Sequence, residues 1–129
     1  MTPELFYLVW SAVLTFVLVL IAASGAQLQV GLEKLAGNRE GLPDLTGWAG
    51  RAQRAHLNML ENLILFAILV LVAQAAGVHN SATLLGAQLF FWGRVAHAVL
   101  YLVGIPWART AAWFVSVIGL ILIAWQLVA

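Results

Sequence analysis

The sequence predicts an all-α integral membrane protein whose four transmembrane helices form one up-down-up-down bundle. Three observations lead there. The chain of 129 residues is 64% hydrophobic and only 9% charged, where a soluble domain carries about 25% charged residues, and its mean hydropathy is +0.99. Its apolar residues fall into four stretches long enough to cross a hydrocarbon core of about 30 Å, separated by segments with Gly, Pro and Asn. Strongly polar side chains recur at helical spacing towards one end of these stretches. The whole of 1–129 is expected to be a single membrane domain.

The first span is expected over residues 5–30, opening LFYLVWSAVLTFVLVLIAA. A secretory signal peptide would begin with Lys or Arg. Here the leading MTPE has neither and carries Glu4, so the segment reads as a retained span. It becomes polar through Gln27, Gln29, Glu33 and Lys34, and GNREGLPDLTGWAG then forms the one substantial loop.

The second span is expected over residues 48–76, longer as a helix than the apolar core is thick, so its charged first turns sit at the interface. A short turn, AGVHNS, offers Asn80 or Ser81 as N-cap for a third span over 82–103. Gly86 and Gly93, seven apart, allow another helix to approach closely. Gly104 and Pro106 break the chain, and Pro106 suits the first turn of a fourth span over 107–128. Trp10, Trp48 and Trp107 read as interfacial anchors.

Lys34, Arg39, Arg51 and Arg54 cluster between the first two spans and Arg109 follows the last link, whereas both termini and the middle turn lack Lys and Arg. By the positive-inside rule the basic ends are cytoplasmic and both termini lie on the other side. His79, in the outer turn, reads as solvated and without a role.

Arg51, Arg54, Asn58 and Glu61 fall at i, i+3, i+7 and i+10, one face of a helix. Arg94, His97 and Tyr101 share a face of the third span at the same depth, and Arg109 lies in the first turn of the fourth helix. A structural polar network would pair Glu61 with one arginine, and that pairing is expected. One carboxylate cannot neutralise Arg54, Arg94 and Arg109 together, so charge balance calls for a bound anion near the cytoplasmic face. Six basic against five acidic residues give a net charge of +1 and no basic excess for nucleic acid. Without cysteine there is no disulfide, thiolate metal site or protein thiol nucleophile, and no metal is expected.

RAxRAHLNxxEN from Arg51 to Asn62, FFWGRVAHAVLY from Phe90 to Tyr101 and GIPWART from Gly104 to Thr110 resemble the signature segments of the MAPEG family, the membrane-associated proteins in eicosanoid and glutathione metabolism. The resemblance extends over all four spans and is to microsomal glutathione transferase-like members of bacterial type. It implies a homotrimer with glutathione as co-substrate between subunits. It further implies glutathione transfer to lipophilic electrophiles that enter from the bilayer, or reduction of lipid peroxides. Carried over residue by residue, it implies glutathione contacts at Arg51, Arg54, His56, Asn58, Glu61, Arg94, His97, Tyr101 and Arg109. Of these, Arg109 and Tyr101 would be catalytic, Arg109 as the partner of the thiolate.

Three positions depart from the better-known pattern: Gln27 and Gln29 stand near an expected arginine, Met59 replaces an Asp, and the Tyr101 to Arg109 spacing is one residue shorter. Two other classes compete. A non-catalytic member would bind lipid or a partner protein, and a small transporter would carry carboxylates and broken helices at the midplane. The arginines crowded at one end favour the glutathione reading.

Overall fold

The structure, a computed structural model, describes residues 1–129 and is all-helical. Four long helices and one short one follow in order: α1 Pro3–Val30, α2 Leu32–Ala36, α3 Gly47–Ala76, α4 Ser81–Val103 and α5 Pro106–Val128. Three of them, α1, α3 and α5, are long and apolar enough to cross a membrane. The fourth long helix, α4, carries Gln88, Arg94 and His97, which lower its hydropathy.

Local chemistry explains each boundary. Thr2 caps α1 by accepting from the Leu5 amide, and Pro3 occupies the first turn, where its missing N–H is no loss. Gly31, at φ 98°, ends α1 and starts α2, a helix absent from the sequence reading. Its LEKLA is made of strong helix formers bracketed by Gly31 and Gly37. Asn80 caps α4 through a capping box with Thr83, and Gly104, in the left-handed region, ends it.

α4 and α5 form the most extensive pair and α1 and α3 the next, while α1 and α5 do not meet. Close approach of α4 and α5 depends on Gly86 and Gly93, as expected. A Cβ on Gly86 would lie 2.7 Å from the Gly119 carbonyl oxygen, and one on Gly93 would lie 2.9 Å from the Ser116 nitrogen. At the centre, Phe66 of α3 stacks on Phe90 of α4 at 4.0 Å between ring centroids, and Met59, Val70 and Ile123 are buried in the same core. The outer surface is apolar: Phe16, Ile64, Trp92 and Ile121 are all exposed. A surface of that kind needs lipid or another protein against it.

The ends of the helices meet in two groups. The start of α1, the turn between α3 and α4 and the end of α5 come together through His79 with Glu4 at 2.7 Å and Asn80 with Gln126 at 3.0 Å. His79 is therefore not merely solvated: its side chain is half-exposed, but it bonds to a Glu4 that is 4% exposed. The sequence hid this pairing because its members lie 75 residues apart, Glu4 in the first turn of α1 and His79 in the turn after α3. At the other end, the Gln29 side chain clamps the backbone of Thr46, donating to its carbonyl at 2.8 Å and accepting from its amide at 2.9 Å.

Candidate functional site

The polar residues of α3 divide according to which stripe of that helix is buried. Ala52, Ala55, Met59, Asn62 and Phe66 face the rest of the chain. Asn58 sits at the edge of this stripe, half-buried, and meets α4: its Oδ1 accepts from Arg94 Nη2 at 2.8 Å. Asn62 in turn donates to the Asn58 backbone carbonyl at 2.8 Å, fixing that turn of helix. Arg54 and Glu61, seven residues apart, are exposed on the outer flank.

The Glu61–arginine pairing expected from the sequence is accordingly not formed within the chain: the one close contact between a carboxylate and a basic side chain is His79 with Glu4. Helical geometry is the reason. Glu61 stands about 100° round the helix from each of its neighbours Leu60 and Asn62, and burying Met59 and Asn62 turns it away from α4.

Arg94 is 1% exposed, the largest fully buried side chain of the chain. Its Nε donates to the Met59 thioether at 3.3 Å and its Nη2 to Asn58, while Nη1 is buried without a partner. No carboxylate neutralises it within the chain. A thioether is a weak acceptor, and leaving a buried charged donor unpaired costs about 1–3 kcal/mol or more. An incoming anion would remove that cost.

One turn further along α4, His97 is 3% exposed with Nδ1 unpartnered, and its ring lies edge-on to Tyr101 at 5.4 Å. Across the link, the Arg109 guanidinium lies 4.3 Å above the Tyr101 ring, a cation–π contact. Asn58, His97, Tyr101 and Arg109 together line a cavity of about 200 Å³, completed by Thr110 and Trp113. Those last two were not singled out from the sequence, although Trp113 lies one turn beyond Arg109.

Arg51 and His56 take other places. Arg51 Nε donates to the Leu102 carbonyl at 3.0 Å; His56 is half-buried with Nδ1 unpartnered. Neither lines the cavity. Gln29, near the position where an arginine was expected, is engaged with Thr46. A larger concavity of about 790 Å³ lies between the start of α1 and α4, lined by Phe6, Tyr7, Trp10, Phe91 and Trp92 among others. It is apolar and apart from the polar cluster.

The profile of the MAPEG family matches residues 5–129. Microsomal glutathione S-transferase 1 of Homo sapiens is 38% identical over 64 residues, covering 50% of this chain and 41% of that protein. The protein of the same description from Bos taurus is 36% identical over 67 residues, covering 51% of this chain and 43% of its own length. The match thus spans less than half the length of these curated relatives.

Proposed function

The chain belongs to the MAPEG family, and from that premise we propose that it is a glutathione-dependent enzyme transferring glutathione to lipophilic electrophiles, with lipid peroxide reduction as a related activity. Family membership and three helices long enough to cross a bilayer make it an integral membrane protein. In the proposed arrangement α4 is a fourth span, its Arg94 covered by Asn58 and Met59 of α3, and 1–129 is one domain. The basic end faces the cytoplasm and both termini lie on the other side.

The observation that carries this reading is Arg94, buried, without an acid partner, and hydrogen-bonded to an Asn58 that lines the polar cavity. Glutathione brings two carboxylates to such a site, and a guanidinium recognises a carboxylate with paired charge-assisted bonds. Asn58, Arg94 and His97 bind the tripeptide, and Tyr101 and Arg109 face its sulfur. Ligand sites usually occupy about 300–1,000 Å³, so a cavity of about 200 Å³ supplies only part of one. Arg54 and Glu61, exposed on a single chain, complete it from a neighbouring copy in a homotrimer.

A free thiol with pKa near 8.5 is mostly protonated at neutral pH. Lowering it by about two pH units takes about 2.7 kcal/mol of differential stabilisation, within the range of one charge-assisted donor beside a helix N-terminus. Arg109, in the first turn of α5, has that position. The thiol proton leaves to solvent, the sulfur lone pair forms the S–C bond, and a halide or other leaving group departs with its electron pair. The apolar concavity beside α1 favours a second reading, a non-catalytic lipid-binding member.

Calorimetric titration of the detergent-purified protein with glutathione tests the proposal. Heat and saturation are expected by millimolar glutathione, with at least about tenfold weaker binding in Arg94→Ala. Absence of heat from the wild type at that concentration would overturn the site.

A further inference from the structure

The link between α4 and α5 decides where Arg109 stands, and it is held from outside by a residue of α3. α4 ends in a Schellman turn: Ile105 donates its amide to Leu100 at 3.0 Å and Gly104 to Tyr101 at 3.2 Å, with Gly104 at φ 83°. These bonds use the Leu100 and Tyr101 carbonyls. The Leu102 carbonyl, one of the last in the helix, accepts instead from Arg51 Nε at 3.0 Å, across 51 residues of sequence.

The same guanidinium lies over the turn itself. Arg51 Cδ, Nε and Cζ come within 3.5 to 3.7 Å of the position a Cβ would occupy on Gly104. The last turn of α4 has no basic residue of its own, although cations are favourable at a helix C-terminus. Arg51 supplies that charge from the neighbouring helix.

Arg109 follows at once. Its amide donates to Ile105 at 3.3 Å, so the first turn of α5 is built on the residue that closes the Schellman turn. Its guanidinium then lies over the Tyr101 ring, one residue before Leu102. Tyr101, the turn and Arg109 thus form one unit, and Arg51 is bonded to that unit from α3. We propose that Arg51 is a positioning residue: it latches the end of α4 and sets the Tyr101–Arg109 pair, and it does not itself hold glutathione. This rests on the proposed glutathione chemistry and reassigns Arg51 from the contacts that the resemblance implies.

Two measurements test it. With glutathione and a chlorinated aromatic electrophile, Arg51→Gln is expected to lower kcat and the ultraviolet absorbance of bound thiolate about tenfold, with KM for glutathione changed less than about twofold. Arg51→Lys, which keeps the charge and a donor, is expected to recover most of the loss. A raised KM with unchanged kcat would mean a direct glutathione contact and overturn the proposal.

The second readout needs no activity. In arginine-labelled protein the Arg109 guanidinium resonance, identified by its loss in Arg109→Gln, is expected to carry a ring-current displacement from Tyr101. That displacement should collapse in Arg51→Gln and return in Arg51→Lys. Arg51→Met, which keeps the apolar stem, serves if Arg51→Gln does not fold. An Arg109 resonance unmoved by loss of the Arg51 donor overturns the latch even in a protein that turns over glutathione. A moved resonance in a protein without turnover sustains the latch and removes the functional reading instead.

Discussion

At the scale of single residues, the site depends on where a few guanidinium groups find acceptors. Arg94 finds a thioether, an amide oxygen and one empty direction; Arg109 finds only an aromatic face. Arg109→Leu should therefore abolish the absorbance of bound thiolate and lower turnover with a chlorinated aromatic by one to a few orders of magnitude, about 2–4 kcal/mol for losing one preorganised donor. Glu61→Gln should instead act on glutathione affinity, and an Arg109→Leu protein with wild-type turnover and spectrum would refute the assignment. That Arg94, His97 and Tyr101 share one face of α4 was legible in the sequence because side chains at i, i+3 and i+7 must do so, whereas Arg109, on another helix, was placed only by its position at the start of the fourth span. The outward turn of Arg54 and Glu61 was not legible, since periodicity defines a face without saying what covers it. Met59 as an acceptor for Arg94 was equally hidden.

Among the helices, the α4·α5 pair is the one whose packing leaves least room. A side chain at Gly93 would meet the Ser116 nitrogen and the Ala112 carbonyl, both backbone atoms that cannot swing aside. Gly93→Val should lower the thermal stability of the detergent-solubilised protein by about 1–3 kcal/mol, the range for overpacking, whereas Gly37→Ala, whose nearest neighbours lie at 3.6 Å or beyond, should leave the melting temperature nearly unchanged. Equal melting temperatures for the two variants would show that the helices can separate there. Two of the contact glycines could be read from their seven-residue spacing; the third, Gly119, has no partner at that interval in its own helix. The short α2 is not legible because its five residues follow α1 across the single Gly31, where Glu33 and Lys34 read as the polar end of the first span.

For the molecule as a whole, composition alone fixed the class, and the distribution of Lys and Arg suggested which end carries chemistry. Assembly is the property a single chain expresses least directly, yet its surface bears on it. Arg54 and Glu61 lie exposed on a helix otherwise apolar enough to cross a membrane, and polar groups in such a place need protein or water beside them. Native mass spectrometry from mild detergent should give a homotrimer, and a monomer or dimer would refute the shared site. The Gln29–Thr46 clamp has a consequence of another kind. By pinning Gln29 to Thr46, one side-chain amide closes the segment between them into a loop. Doubling the length of such a loop costs only about 0.6 kcal/mol in closure entropy. Evolution, or an engineer inserting an epitope near Gly41, could therefore lengthen it freely while α1 and α3 keep their register.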